Sequence, residues 1–216
     1  MDTNFARQQM VDQQVRAWDV LDPDILQVLT DVPREQFVPT GYEALAFADT
    51  EIPIGHGESM MTPTIEGRLL QALAPQEGER VLEIGTGSGF LTACLARLTG
   101  NVTSIDIHDD FIEQAQASLA DTGINGVTLL QMDATQELPH GKFDVIAVTA
   151  SVEAFEPRFV EALAPGGRLF VVVGKAPAMD ALLVTKTGDN EWQSESLFET
   201  VLRPLTDPGR KAEFLF

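Results

Sequence analysis

The stretch Val81-Leu82-Glu83-Ile84-Gly85-Thr86-Gly87-Ser88-Gly89-Phe90 decides how the chain is read. Val81, Leu82 and Ile84 form the short apolar run of a strand covered on both faces. Glycines then occupy alternate positions, and the run from Phe90 to Leu98 carries the composition of a helix. Glycine suits such a turn because a Cβ would collide with a ligand approaching the backbone. The helix starting behind the turn offers N–H groups that have no partner within the helix.

The spacing separates two kinds of ligand. A dinucleotide site has the form G-x-G-x-x-G, with its pyrophosphate on the helix terminus. Here the register is Gly85-x-Gly87-x-Gly89, and Glu83 stands two residues before the first glycine. A carboxylate there, expected to face the pocket, suits a cationic or amino-bearing group and not a diphosphate. Asp106 follows the next strand-like run, Val102-Thr103-Ser104-Ile105, 17 residues after Gly89. An acid at the tip of a second strand holds ribose hydroxyls. Together these features describe an S-adenosylmethionine pocket better than a nicotinamide one.

From Arg80 onward strands and helices alternate, the pattern of a mostly parallel sheet with helices on both faces. Strands are expected at 81–84, 102–107, 127–132, 143–149 and 168–173. Helices are expected at 110–120 and at 157–163, the second closed by Pro165-Gly166-Gly167. Residues 181–187 and 192–202 flank Gly188-Asp189-Asn190 as an antiparallel hairpin. Upstream, Met10, Val11, Gln14, Val15 and Trp18 share one helical stripe, and Ile25, Val28 and Leu29 share another. Asp22 is placed to cap a helix that opens with Pro23. Residues 40–66 are rich in Gly and Pro, and helical spacing resumes over 64–73. A stretch this irregular before a core helix is usually functional. The expectation is one domain over 1–216: a helical N-terminal part at 1–79 with a functional loop at 52–63, then a cofactor-binding sheet core at 80–216.

The chain of 216 residues carries 33 Asp plus Glu against 14 Lys plus Arg, a net charge of −19. That balance argues against a nucleic-acid binder or a protein of anionic membrane surfaces. It also repels an acidic macromolecular substrate unless a local cation intervenes. No run reaches the ~18 apolar residues of a membrane span, and the residues from Met1 to Arg7 hold no apolar signal core. The single cysteine, Cys94, lies on an apolar helical face and reads as a buried thiol. A cytoplasmic location is the expectation.

Several stretches resemble one family, the protein-L-isoaspartate O-methyltransferases, nearly end to end. They include Met10-Val11 with Gln14 and Arg16, Val32-Pro33-Arg34-Glu35-Gln36-Phe37-Val38-Pro39, and Pro53-Ile54-Gly55. The glycine stretch, Phe143 to Ala150, Pro165-Gly166-Gly167-Arg168-Leu169 and Pro204-Leu205-Thr206-Asp207 complete the set. The glycine stretch alone marks only the superfamily, whereas the Val-Pro-Arg-Glu-x-Phe-Val-Pro run is far more specific. The resemblance implies an α/β Rossmann-like class I methyltransferase with C-terminal antiparallel strands. It implies a repair enzyme that methylates the free carboxyl of isoaspartyl residues, so that the ester collapses to a succinimide and reopens as aspartate. The implied partner is a damaged protein or peptide, and the implied cofactor is S-adenosylmethionine.

Carried over residue by residue, Glu83 falls near the methionine part of the cofactor and Asp106 on its ribose. Asp133 and Ala134 fall beside the adenine, Ala134 replacing a glycine. Gly85, Thr86, Gly87, Gly89, Ile107 and Thr149 complete the expected cofactor set. In the loop, the family's Gly-Gln-Thr-Ile-Ser-x-Pro corresponds to Gly57-Glu58-Ser59-Met60-Met61-Thr62-Pro63. Met61 therefore stands at the family's active-site serine, and Ser59 is the surviving polar candidate for catalysis. His56, Ser59 and Thr206 are the expected substrate contacts. A carboxylate is already a nucleophile at neutral pH, so no general base is required. His56, His108 and His140 lack ligand spacing, and no metal is expected. The altered loop keeps two further readings open, a different acceptor such as a small molecule and a non-catalytic cofactor-binding module.

Overall fold

The computed structural model describes residues 3–205. Helix α1 (Thr3–Met10) passes into a π-turn at Val11–Val15 and a 3-10 turn at Arg16–Trp18. The wider π-turn shifts the helical phase, so Trp18 leaves the stripe formed by Met10, Val11 and Val15 and stands exposed. Helix α2 (Pro23–Asp31) opens as its sequence indicates: Asp22 Oδ1 accepts from the N–H groups of Asp24 and Ile25 at 2.9 and 3.3 Å.

Residues 40–66, expected as loop, contain a short antiparallel hairpin, β1 (Ile52–Gly55) with β2 (Glu58–Met60). His56 and Gly57 form its turn with φ of +53° and +81°, the two positive angles of the tightest hairpin turns. Strands of four and three residues, one containing Pro53, are too short to show a period. Thr62 then caps α3 (Pro63–Leu73).

The sheet follows in alternation: β3 (Val81–Ile84), α4 (Phe90–Thr99), β4 (Val102–Asp106), α5 (Asp109–Asp121), β5 (Val127–Gln131) and β6 (Phe143–Val152). Beyond these come α6 (Pro157–Glu161), β7 (Leu163–Lys175), β8 (Ala178–Gly188) and β9 (Glu191–Glu199). The strand order is β5-β4-β3-β6-β7-β8-β9. Pairing is parallel from β5 to β7 and antiparallel from β7 to β9. The helix expected to run to Leu163 stops at Glu161, and Pro165-Gly166-Gly167 lies inside β7. A register shift against β6 there absorbs the irregular backbone.

Successive residues of the central strands feed opposite faces. Val81, Val145 and Ala147 join Leu69, Leu70 and Leu73 of α3 and Cys94 of α4. Leu82, Ile84, Ile146 and Val148 join Phe159 and Val160 of α6. The strand order reverses between β3 and β6, and ligands of such sheets bind beyond the carboxyl ends at that reversal. No helix among the described residues is long and apolar enough to cross a membrane.

Candidate active site

The reversal point is where the glycine turn lies. Gly85 has φ +99°, and a Cβ on it would meet Thr149 Oγ1 at 2.2 Å. Thr149, near the end of β6, donates to the carbonyls of Ile84 and Gly85 at 3.0 and 2.9 Å, so the two strand ends are tied together. Asp106, at the tip of β4, fixes the other side of the turn. Its Oδ2 accepts from the Gly87 N–H at 2.9 Å and its Oδ1 from the His108 N–H at 3.0 Å. An ionised carboxylate has about four acceptor sites, so Asp106 retains capacity toward a ligand.

A cleft opens above these residues, beyond the carboxyl ends of the strands. Gly85, Gly87, Asp106, Ile107, Met132, Ala134 and Thr149 line it, and so do Ser59 and Met61. The far wall is the segment from Leu202 to Leu205. Ser151 straps that segment to β6: its N–H donates to the Arg203 carbonyl at 2.7 Å and its hydroxyl to the Leu202 carbonyl at 2.9 Å.

Other expected residues lie behind the wall. Glu83 does not face the cleft. It shares a strand face with Val81 and is fully buried under α4, where its Oε2 accepts from the Thr92 hydroxyl and, at 2.6 Å, from the Ser104 hydroxyl. Burial pushes its pKa up to about 8 against those two bonds, and its Oε1 has no partner among the described residues. Thr86 bonds Ser104 at 2.6 Å behind the turn. Gly89 gives α5 room, since a Cβ there would meet the Ala115 Cβ at 2.9 Å. Asp133 turns aside to accept from the Thr135 N–H and hydroxyl at 2.8 and 2.6 Å. Thr206 and Asp207 lie outside the described residues.

His56 also points away from the cleft. It stacks on His108 with ring centroids 3.9 Å apart, and its Nε2 lies 2.8 Å from Asp110 Oδ2. That contact holds the exposed Asp110 below the ordinary aspartate pKa. Tertiary structure thus gathers His56, His108 and Asp110, whose ligand atoms lie within 4.8 Å of one another. The rings are parallel within 10°, and in-plane lone pairs of stacked imidazoles do not converge on one ion. The group instead closes the tip of the β1–β2 hairpin on α5.

The base of the hairpin rests on Arg34, a residue whose role sequence reasoning did not assign. It is fully buried, pairs with Glu66, donates to the Ala46 carbonyl at 2.9 Å and to the Met61 carbonyl at 2.7 Å. Burial pushes Glu66 up to about 7, with Arg34 pulling the other way. Arg34 lies in the Val-Pro-Arg-Glu run, and its arginine between two prolines was the available signal. Ile54 and Arg203 also line the cleft without having been singled out.

A mostly parallel sheet, a glycine turn at its reversal and an acid on the neighbouring strand tip define a Rossmann-like class I methyltransferase. The family model described as Protein-L-isoaspartate(D-aspartate) O-methyltransferase (PCMT) matches residues 5–210, and the chain belongs to that family. It is 38% identical to Protein-L-isoaspartate O-methyltransferase 1 of Rhodopseudomonas palustris, over 94% of this chain and 84% of that one. It is 41% identical to the Protein-L-isoaspartate O-methyltransferase of Opitutus terrae, over 83% of this chain and 78% of that one. The fold matches a crystal structure from Plasmodium falciparum, described as a putative protein-L-isoaspartate O-methyltransferase in complex with S-adenosyl-L-homocysteine. The TM-score is 0.80, with 20% identity over 93% of this chain and 98% of that one.

Proposed function

We propose that this chain transfers a methyl group from S-adenosylmethionine to the free carboxylate of L-isoaspartyl residues in proteins or peptides. One observation carries the reading: a single cleft joins a nucleoside-type end, with Asp106 and the glycine turn, to a second end formed by Ser59, Met61 and Leu202–Leu205. The residues present fit the cofactor. Gly85 and Gly87 leave bare backbone on the cleft wall, Asp106 offers acceptors for ribose hydroxyls, and Ile107, Met132 and Ala134 supply apolar walls for a purine. Gly89, Thr86, Asp133 and Glu83 support that wall from behind. When bound, the cofactor would supply a methyl on a cationic sulfonium, which an ionised carboxylate can attack without a general base, the neutral thioether being the leaving group.

The work of the protein is alignment of two reactants, worth up to about 7–11 kcal/mol in favourable systems. We assign Ser59 to the acceptor, where its hydroxyl can donate to a carboxylate oxygen, and His56 to closing the hairpin. The reading treats residues 1–216 as one methyltransferase domain acting in the cytoplasm, where the buried Cys94 remains a thiol.

The test is transfer of label from S-adenosylmethionine to an isoaspartyl peptide, against the same peptide with normal aspartate. Selective labelling is expected. Glu58 and Met61, an acid and a thioether at the acceptor end, favour a different acceptor as the second reading. Labelling of neither peptide by folded protein that still binds the cofactor would move the assignment there.

A further inference from the structure

Among the described residues, the lining of the cleft carries more acidic than basic side chains. Glu51 and Glu58 line the cleft together with Asp106, in a chain of net charge −19. A carboxylate entering this field is repelled unless a cation answers it locally. Among the described residues lining the cleft, Arg203 is the only lysine or arginine.

Its side chain has no structural employment among the described residues. The other arginines near the core are engaged: Arg7 with Glu35, Arg34 with Glu66, Arg158 with Glu156, Arg168 with Glu79. Arg68 donates to the Trp18 and Leu197 carbonyls. Arg203 enters none of the ion pairs among the described residues, and it is exposed.

The main chain beneath it is fixed. Ser151 donates to the carbonyls of Leu202 and Arg203, and the Leu205 N–H returns a bond to the Ser151 carbonyl at 2.7 Å. Ser151 follows Thr149 by two residues on β6, so this clamp refers the Arg203 backbone directly to the glycine turn. A guanidinium unengaged among the described residues, on a clamped backbone, is suited to docking a ligand, because little main-chain order is lost when it binds.

We propose that Arg203 is the specificity-determining residue that docks the acceptor's carboxylate, an inference that rests on the isoaspartyl reading above. Its guanidinium donates to one carboxylate oxygen and leaves the other to attack. The O–CH₃ bond forms as the S–CH₃ bond breaks, the electron pair of the broken bond stays on sulfur, and no proton moves. The docked oxygen is oriented by that contact. Arginine suits this task because its planar fork matches a carboxylate.

The experiment measures isoaspartyl-peptide kinetics for the native chain, Arg203→Gln and Arg203→Lys, with S-adenosylmethionine affinity by calorimetry in parallel. Arg203→Gln should raise the peptide KM about tenfold or more, with kcat far less affected and cofactor affinity unchanged. Arg203→Lys should recover part of the loss. The native KM should rise with added salt, as a charge contact at an exposed site requires, and that of Arg203→Gln should not. A KM within about twofold of native in Arg203→Gln, too small for a lost charged hydrogen bond, would overturn the proposal while leaving the isoaspartyl reading intact. A parallel fall in cofactor affinity would also overturn it, by showing that the residue supports the cleft as a whole. If the native chain binds cofactor but methylates no isoaspartyl peptide, the underlying reading fails and this one falls with it.

Discussion

Arg34 Nη2 donates to the main-chain carbonyl of Met61 at 2.7 Å, so a fully buried cation holds the backbone at the acceptor end of the cleft. The same guanidinium pairs with Glu66 and lies 4.6 Å from the centroid of the Phe90 ring, just behind the glycine turn. Acceptor loop and cofactor turn therefore share one buried support.

Removing that support leaves a buried carboxylate without its partner. Arg34→Ala is expected to lower stability by about 3–5 kcal/mol, read as a shift in the urea midpoint with an unchanged slope. Arg34→Met combined with Glu66→Leu should cost much less, because no uncompensated charge remains. Equal losses in the single and double variants would show that the ion pair is not the source.

Glu83 makes stability depend on pH in an unusual direction for a carboxylate. Its folded pKa of about 8 lies above the ordinary glutamate value of 4.5, so between those values the folded chain holds a proton that the unfolded chain has lost. Its contribution is full below pH 4.5 and declines through that window by about 1.4 kcal/mol per pH unit at most. Glu83→Gln should therefore gain on the native chain in melting temperature from pH 5 to pH 8. A difference that stays flat with pH would contradict the raised pKa.

Asp106 combines two backbone bonds with an open place on the cleft. Asp106→Asn should weaken S-adenosylmethionine binding about 10- to 100-fold, the scale of charged hydrogen bonds, measured by calorimetry. Glu83→Gln should have little effect in the same titration, since Glu83 lies behind the wall.

At Gly85 a positive φ coincides with a close approach to Thr149. Gly85→Ala should lose both folding stability and cofactor affinity. Adding Thr149→Ala removes the clashing hydroxyl and should restore part of the stability, leaving about 1–2 kcal/mol of left-handed strain. Strict additivity of the two changes would mean that the contact is not the cause.

Met61→Ser places a hydroxyl beside Ser59 at the acceptor end without touching Arg34, which bonds the Met61 main chain. Isoaspartyl methylation should rise severalfold, a gain below the about 1.5–3 kcal/mol of a full charged hydrogen bond. Unchanged activity would assign acceptor alignment elsewhere in the cleft.

Local signals carried much of this architecture. Val81, Leu82 and Ile84 with the glycines located the strand, turn and helix, because strand burial and positive φ are recorded in residue type. Asp22-Pro23 marked the start of α2 for the same kind of reason, a side chain bonding the N–H groups two and three residues further on. The hairpin at β1 and β2 escaped because seven strand residues interrupted by a proline display no period. Only tertiary structure decided which way each acid points. Glu83 looked like a ligand by its place in the motif, yet strand alternation turns it under α4, whereas Asp106, closing its strand, reaches the cleft. The pairing of Arg34 with Met61, the closure of His56 on Asp110 and the strapping of Arg203 by Ser151 all join residues 27 or more positions apart. Such contacts depend on packing between elements, and no local pattern records where two distant elements will meet.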